Sequence, residues 1–270
     1  MPYELGIIGA GNMAEAIARG VTSRGVLKPD QVLAADVSPQ RRALFENDLG
    51  IRAVESNADV ARQSKTILLS VKPQQMADAL RGIGEVMDRQ TLVISIAAGI
   101  STAFIEKHLG AGRAWRVIRT MPNTPMLVGE GMVGLSPGAH ATGADVAAAR
   151  RLFESAATVI EVPEDKLDAV TAVSGSGPAY FFFLVEHMTR AGVELGLSPE
   201  QAHTLATRTA LGAAKMLTTS TDTPRELRQK VTSPGGTTHA AITHMESNRV
   251  HEIIVDALKI AARRSKELGM

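Results

Sequence analysis

Six residues near the start of the chain, Gly9-Ala10-Gly11-Asn12-Met13-Ala14, constrain its fold more than any other segment. They follow a compact apolar run, Leu5-Gly6-Ile7-Ile8, and open a helical pattern from Met13 to Val21. The tight turn needs Gly9, and a side-chain-free Gly11 lets a pyrophosphate approach the backbone. Ala14, in place of a third glycine, still permits close helix–sheet packing. A helix begun there offers free N–H groups and a partial positive charge to phosphates. The next apolar run, Gln31-Val32-Leu33-Ala34-Ala35, ends at Asp36, the acid this strand–turn–helix grammar places on a ribose. The segment therefore predicts a dinucleotide-binding turn, not merely a glycine-rich connection.

Thr66–Val71, Thr91–Ile96 and Trp115–Arg119 read as further strands, apolar on both faces as strands buried between helix layers must be. Helical patterns separate them. The fold predicted for residues 1–163 is thus a Rossmann-type α/β domain with a doubly wound, mostly parallel sheet. Beyond Pro163 the grammar is helical throughout. Ser198-Pro199-Glu200-Gln201 and Thr223-Pro224-Arg225-Glu226 both read as an N-cap, a first-turn proline and a capping-box acceptor. Val250, Ile253, Ile254, Ala257, Leu258 and Ala261 form one apolar stripe. Residues 164–270 are therefore expected to be an all-α domain. Its roughly 100 residues bury only a modest core alone, which predicts packing against a second copy as a homo-oligomer, a dimer at least.

Composition removes whole classes of function. Lys+Arg 29 against Asp+Glu 28 gives a net charge of +1, with 3% aromatics, so neither a nucleic-acid partner nor an anionic membrane is expected. Without cysteine there is no disulfide, thiolate catalysis or cysteine-ligated metal. No apolar run reaches the ~18 residues of a membrane span, and Met1 to Ala10 lacks the features of a signal peptide. A cytoplasmic setting is expected. His239 and His244 are five apart and share no helix face, so no metal is expected.

Loops at strand ends carry the candidate chemistry. Asp36 favours NAD by repelling a 2′-phosphate, whereas Arg41 and Arg42 are available to pair with one, and both readings stand. Val71-Lys72-Pro73 and Ile96-Ala97-Ala98-Gly99 end two parallel strands and should border the cofactor, with Ala97 and Ala98 leaving room for ribose or nicotinamide. Asn123, in the proline-bracketed turn Met121-Pro122-Asn123-Thr124-Pro125, can orient a cofactor amide or satisfy its own backbone. Ser233-Pro234-Gly235-Gly236-Thr237-Thr238 joins a helix at Arg225–Val231 to one at about Thr238–Ser247. Its N–H groups can converge on a carboxylate, and the Thr238 hydroxyl can donate to a second polar atom. The segment Ser174–Tyr180 is read as letting a helix start pass close under the nicotinamide. Phe181, Phe182 and Phe183 after it are read as core or subunit interface.

Taken together and in order, the glycine loop, Val71-Lys72-Pro73, Ala97-Ala98-Gly99, the Asn123 turn, the Ser174–Tyr180 segment and the Ser233–Thr238 loop closely resemble pyrroline-5-carboxylate reductase, end to end. The resemblance implies reduction of the cyclic imine 1-pyrroline-5-carboxylate to L-proline with NADPH or NADH, and a helical domain interlocked with a second subunit. It implies a cofactor site at Ile8, Gly9, Ala10, Gly11, Asn12, Met13, Asn57, Val71, Lys72, Pro73 and Ala97, to which Asp36 and Ala98 are added here. It implies a substrate site at Ser233, Gly236, Thr237 and Thr238, with Glu164 nearby, and Thr238 as the catalytic donor. Asp36 and Lys230 depart from the family pattern; Lys230 offers a charge to a 2′-phosphate. An alcohol is too weak an acid to be the sole proton source, so binding of the iminium form or a water relay is expected. Two alternatives are a related β-hydroxy-acid dehydrogenase, for which Lys215 would have to be the catalytic lysine, and a dinucleotide-sensing protein without turnover.

Overall fold

A computed structural model describes residues 2–110 and 112–269. The chain divides into two compact units: the residues up to Ser176 together with those from Ala261 onward, and Gly177–Ile260.

The first unit is built on β1 (Tyr3–Ile8), β2 (Val32–Ala35), β3 (Arg52–Val54), β4 (Ser64–Leu69), β5 (Leu92–Ser95), β6 (Arg116–Met121), β7 (Gly131–Pro137) and β8 (Ala157–Glu161). They form one sheet in the order β3-β2-β1-β4-β5-β6-β7-β8. Every pairing is parallel except β6 with β7. Helices α1 (Asn12–Ser23), α2 (Pro39–Leu49), α3 (Asn57–Gln63), α4 (Met76–Leu80), α5 (Ile83–Val86), α6 (Thr102–Leu109) and α7 (Gly143–Phe153) make the crossovers. Alternate strand residues feed two cores, as the two-residue period requires. Leu5, Ile7, Ala34, Leu68, Ile94 and Ile118 pack with Ile17 and Val21 of α1 and Phe153 of α7. Ile8, Leu33, Ile67, Leu69, Val93 and Val117 pack with Val60 of α3, Leu80 of α4 and Ile105 of α6.

The five strand runs read from the sequence are present, with shifted ends. Ser70, Val71 and Ile96 lie just past their strands, and β6 starts after Trp115 and continues to Met121. Three strands carry no long apolar run and are visible only in the structure. The three residues of β3 sit at the edge of the sheet, β7 contains two glycines, and only one residue of β8 is buried. The edge strands β3 and β8 lack the doubly buried pattern that identifies central ones, whereas in the interior, mostly buried β7 it is the glycines that interrupt the apolar run.

Next come α8 (Leu167–Val170) and a π-helical turn at Thr171–Gly175. The second unit holds α9 (Gly177–Glu194), α10 (Pro199–Thr219), α11 (Pro224–Lys230), α12 (Thr237–Ser247) and the start of α13 (Val250–Leu268). Among the described residues no strand follows Glu161. Both capping boxes form: Ser198 with Gln201, and Thr223 with Glu226, each with proline in the first turn. At Gly192 a Cβ would lie 2.9 Å from the Ala202 Cβ, so the glycine sets how closely α9 and α10 cross. The second unit leaves a broad apolar surface. Phe181, Phe182 and Phe183 are each more than 60% exposed, and Ile253 and Ile254 on the predicted stripe are also exposed. The three phenylalanines are therefore not core in a single chain.

Candidate active site

Gly9 turns the chain at the end of β1 with φ +93°, and a Cβ there would lie 2.8 Å from the Ser70 carbonyl oxygen. Only glycine fits. Its N–H donates to the Ala35 carbonyl at 2.8 Å. Gly11 is the N-cap of α1, no side chain caps that helix, and a Cβ on Gly11 would meet nothing within 4 Å. The open volume over Gly11 and the unsatisfied first N–H groups of α1 together make an anion seat.

Asp36 braces this loop. Its Oδ2 accepts from the Ala10 N–H at 2.7 Å and its Oδ1 from the Ser38 N–H at 2.8 Å. The two arginines beyond it are already engaged. Arg41 donates to the Ala10 carbonyl at 2.5 Å and pairs with Glu15 at 2.9 Å, while Arg42 donates to the Asp36 carbonyl at 2.7 Å. Both side chains remain partly exposed while making these bonds. Burial opposes the Glu15 charge, yet hydrogen bonds and attraction from Arg41 and Arg19 hold its carboxyl below the usual range.

A cleft of about 430 Å³ lies over Gly9, Asp36, Asn57 and Gln75. A second, of about 490 Å³, lies over Asn12, Met13, Pro73, Ala97, Ala98 and Met121. Gly11, Ser70, Val71 and Lys72 line both, so the two form one groove across the glycine loop. It runs along the carboxyl edge of the sheet where β1 and β4 are neighbours and strand order reverses, the switch point at which open α/β sheets bind ligands. Of the predicted cofactor residues, Ile8 and Ala10 are fully buried and do not line the groove. Ala10 serves it through its backbone, held by Asp36 and Arg41. Asn123 lines the second cleft but is tied to protein on both sides: it donates to the Ser174 carbonyl at 3.0 Å and accepts from the Met132 N–H at 2.8 Å. Gly175 also lines it, and a Cβ there would lie 2.4 Å from the Met121 methyl. Gln75, Asp78 and Ala79 were missed by the sequence reading; all three follow the Val71-Lys72-Pro73 strand end that it had identified.

Glu164 belongs to the first unit and presents no free carboxylate. Its two oxygens accept from the Thr102 N–H at 2.8 Å and the Thr102 hydroxyl at 2.9 Å.

In the second unit the Ser233–Thr238 loop has the form expected of an anion seat. Gly235 takes φ +74°, the Gly236 N–H donates to the Ser233 carbonyl at 3.0 Å, and Gly236 then caps α12 without a side-chain acceptor. The first N–H groups of α12 and the half-buried Thr238 side chain lie at this end. Lys230 is not available to a phosphate as placed, because it pairs with Asp222 at 2.5 Å. That ammonium, with Ser220, draws the Asp222 carboxyl below its ordinary value. Among the described residues no three histidine or carboxylate side chains cluster as a metal site would require, and no helix is long and apolar enough to cross a membrane.

Residues 164–268 match the family described as pyrroline-5-carboxylate reductase dimerisation, and residues 4–99 match that described as NADP oxidoreductase, coenzyme F420-dependent. Pyrroline-5-carboxylate reductase of Pseudomonas aeruginosa is 42% identical over 266 residues, covering 98% of this chain and 96% of that protein. The enzyme of Pisum sativum is 40% identical over 267 residues, covering 99% and 96%. Among solved structures, a pyrroline-5-carboxylate reductase from Coxiella burnetii superposes with a TM-score of 0.89 at 35% identity over the whole of both chains. The Plasmodium falciparum enzyme with NADP bound gives 0.90 at 29% identity, covering 99% and 98%.

Proposed function

The chain belongs to the pyrroline-5-carboxylate reductase family, and from that premise we propose that it reduces 1-pyrroline-5-carboxylate to L-proline with NADPH or NADH. It is an oxidoreductase and a homo-oligomer. The observation that carries the reading is the groove across Gly11, joined in one chain to a loop that can seat a carboxylate.

The groove fits a dinucleotide on its own geometry, since the space over Gly11 is open and the start of α1 is uncapped. NAD(P)H, when bound, supplies the hydride. Gly9, Gly11, Asn12 and Met13 hold the pyrophosphate against the start of α1, and Asp36 and Asn57 border the adenosine end. Val71, Lys72 and Pro73 line the middle, and Ala97 and Ala98 leave room for the nicotinamide. Backbone N–H groups about Gly236 and Thr237, with Ser233, hold the substrate carboxylate. Thr238 donates to the ring nitrogen. Orientation is the main service the protein gives, with reacting atoms held at about 3–3.5 Å. Because the hydroxyl is a poor acid, the imine enters protonated, which also makes its carbon more electrophilic. Neither alternative gains a specific observation.

NADP is the cofactor in the family description and in the Plasmodium structure. NADH is proposed as a second donor, because an Asp36 carboxylate fixed at the groove repels a 2′-phosphate. The biosynthetic reaction and the absence of cysteine fit a reducing compartment, and the cytoplasm is the proposed setting. The test is oxidation of NADPH and NADH with pyrroline-5-carboxylate, followed by detection of proline. Binding of either cofactor without oxidation by this imine would overturn the assignment.

A further inference from the structure

Arg119, on β6, is only 6% exposed, and its guanidinium lies between two carboxylates, Glu164 and Asp168, each at 3.5 Å. A buried charge of this kind is costly unless paired, so the pairing fixes all three groups together. Each carboxylate makes a further bond. Glu164 receives the N–H and hydroxyl of Thr102, the first residue of α6. Asp168 accepts from the Ser265 hydroxyl at 2.7 Å, and Ser265, 3% exposed, sits in the last turns of α13. Those turns group with the sheet.

Between β5 and α6 runs the loop that carries Ala97, Ala98 and Gly99. One end is held to the sheet by the Ile96 N–H on Leu69, and the other by Glu164 on Thr102. Its crest is covered by the end of α13. A Cβ on Gly99, which has φ +77°, would lie 2.5 Å from the Ser265 carbonyl oxygen, and a Cβ on Gly269 would lie 1.9 Å from the Gly99 carbonyl oxygen. Both glycines are there because the two backbones touch.

We propose that the end of α13 sets the shape of this loop, making Ser265, Asp168 and Arg119 positioning residues for the nicotinamide half of the cofactor. The assignment of that half to the Ala97–Ala98 cleft rests on the reductase reading. None of the three residues lines the groove, so they act through Gly99 and Thr102. The adenosine cleft is built from other elements, and the expected signature is a loss confined to one end of the dinucleotide.

The full-length variants Ser265→Ala and Gly99→Ala are titrated with NADPH by fluorescence, and with 2′-phosphoadenosine 5′-diphosphoribose, which lacks nicotinamide, by competition. NADPH should bind about fivefold or more weakly, as expected for loss of one buried hydrogen bond to a charged acceptor, while the fragment binds as to wild type. kcat with the imine should fall by up to roughly 10²-fold, since small misplacements at a hydride donor are costly. Equal weakening of both ligands alongside a lower Tm would reduce the network to general support and overturn the proposal, as would unchanged affinity for both. If wild-type protein fails to turn over the imine but the nicotinamide-selective loss is found, the reductase reading fails and the positioning role stands.

Discussion

Thr238 and Asp36 are the residues on which the proposed chemistry turns. Removing a single donor that serves the transition state costs ~2–4 kcal/mol, so Thr238→Ala should lower kcat/KM for the imine by roughly 10²-fold or more while leaving cofactor affinity nearly unchanged. Thr237→Ala should be milder, because the role proposed at Thr237 belongs to its backbone. Steady-state kinetics with NADPH Kd values measure both, and wild-type values in both variants would move the substrate site elsewhere. Asp36→Ser should raise the NADPH/NADH ratio of kcat/KM. The structure adds a second effect: the Ala10 and Ser38 N–H groups lose their acceptor, so affinity for both cofactors should also drop. An unchanged ratio would mean that the carboxylate does not face the ribose. Glu15 gives a pH dependence. Its carboxyl is held low in the folded state, so its stabilising contribution is present above the unfolded value and is lost as pH falls through the folded one. Glu15→Gln should lower stability at neutral and alkaline pH and flatten the acid side of the curve, so that variant and wild type converge as pH falls, measured by urea unfolding from alkaline to acid pH.

At the scale of elements, what matters is how strand ends meet helix starts. Gly9 must take a positive φ directly beneath the Ser70 carbonyl. Gly9→Ala therefore combines an unfavourable backbone conformation with a backbone clash, and should cost at least ~2 kcal/mol with a clear fall in Tm. Gly11→Ala is the contrast: the space there is open and φ is −73°, so stability should change little while NADPH binding weakens. Thermal melts and fluorescence titration of the two variants separate fold from site. The elements that sequence pattern revealed were the central strands and the well-capped helices, where burial on both faces or a Ser/Thr–Pro start leaves a local signal. The edge strands β3 and β8 lack that burial, and in β7 two glycines break the apolar run. Arg119, inside a run read as apolar, was a sign that a partner had to exist, but nothing local named Glu164 and Asp168.

Taken whole, the chain carries more apolar surface on Gly177–Ile260 than that unit can bury, and the family match for this region is a dimerisation domain. Analytical ultracentrifugation should give a dimer or larger assembly at micromolar concentration, and Phe182→Asp or Ile254→Asp should shift it toward monomer. A wild-type chain that is monomeric throughout would contradict the expectation. The glycine turn after β1, the parallel sheet and the helical second half were all legible in the residue pattern. All of these rest on spacing, caps and glycines within a few residues of one another. The partners of Asp36, Arg41, Glu164 and Lys230 became visible only in the folded chain. Each is a long or charged side chain whose partner is set by competition among groups brought near by folding. The Asp36–Ala10 contact spans 26 residues, the Glu164–Thr102 contact 62 and the Ser265–Asp168 contact 97, distances over which one-dimensional pattern carries no information about which donor wins.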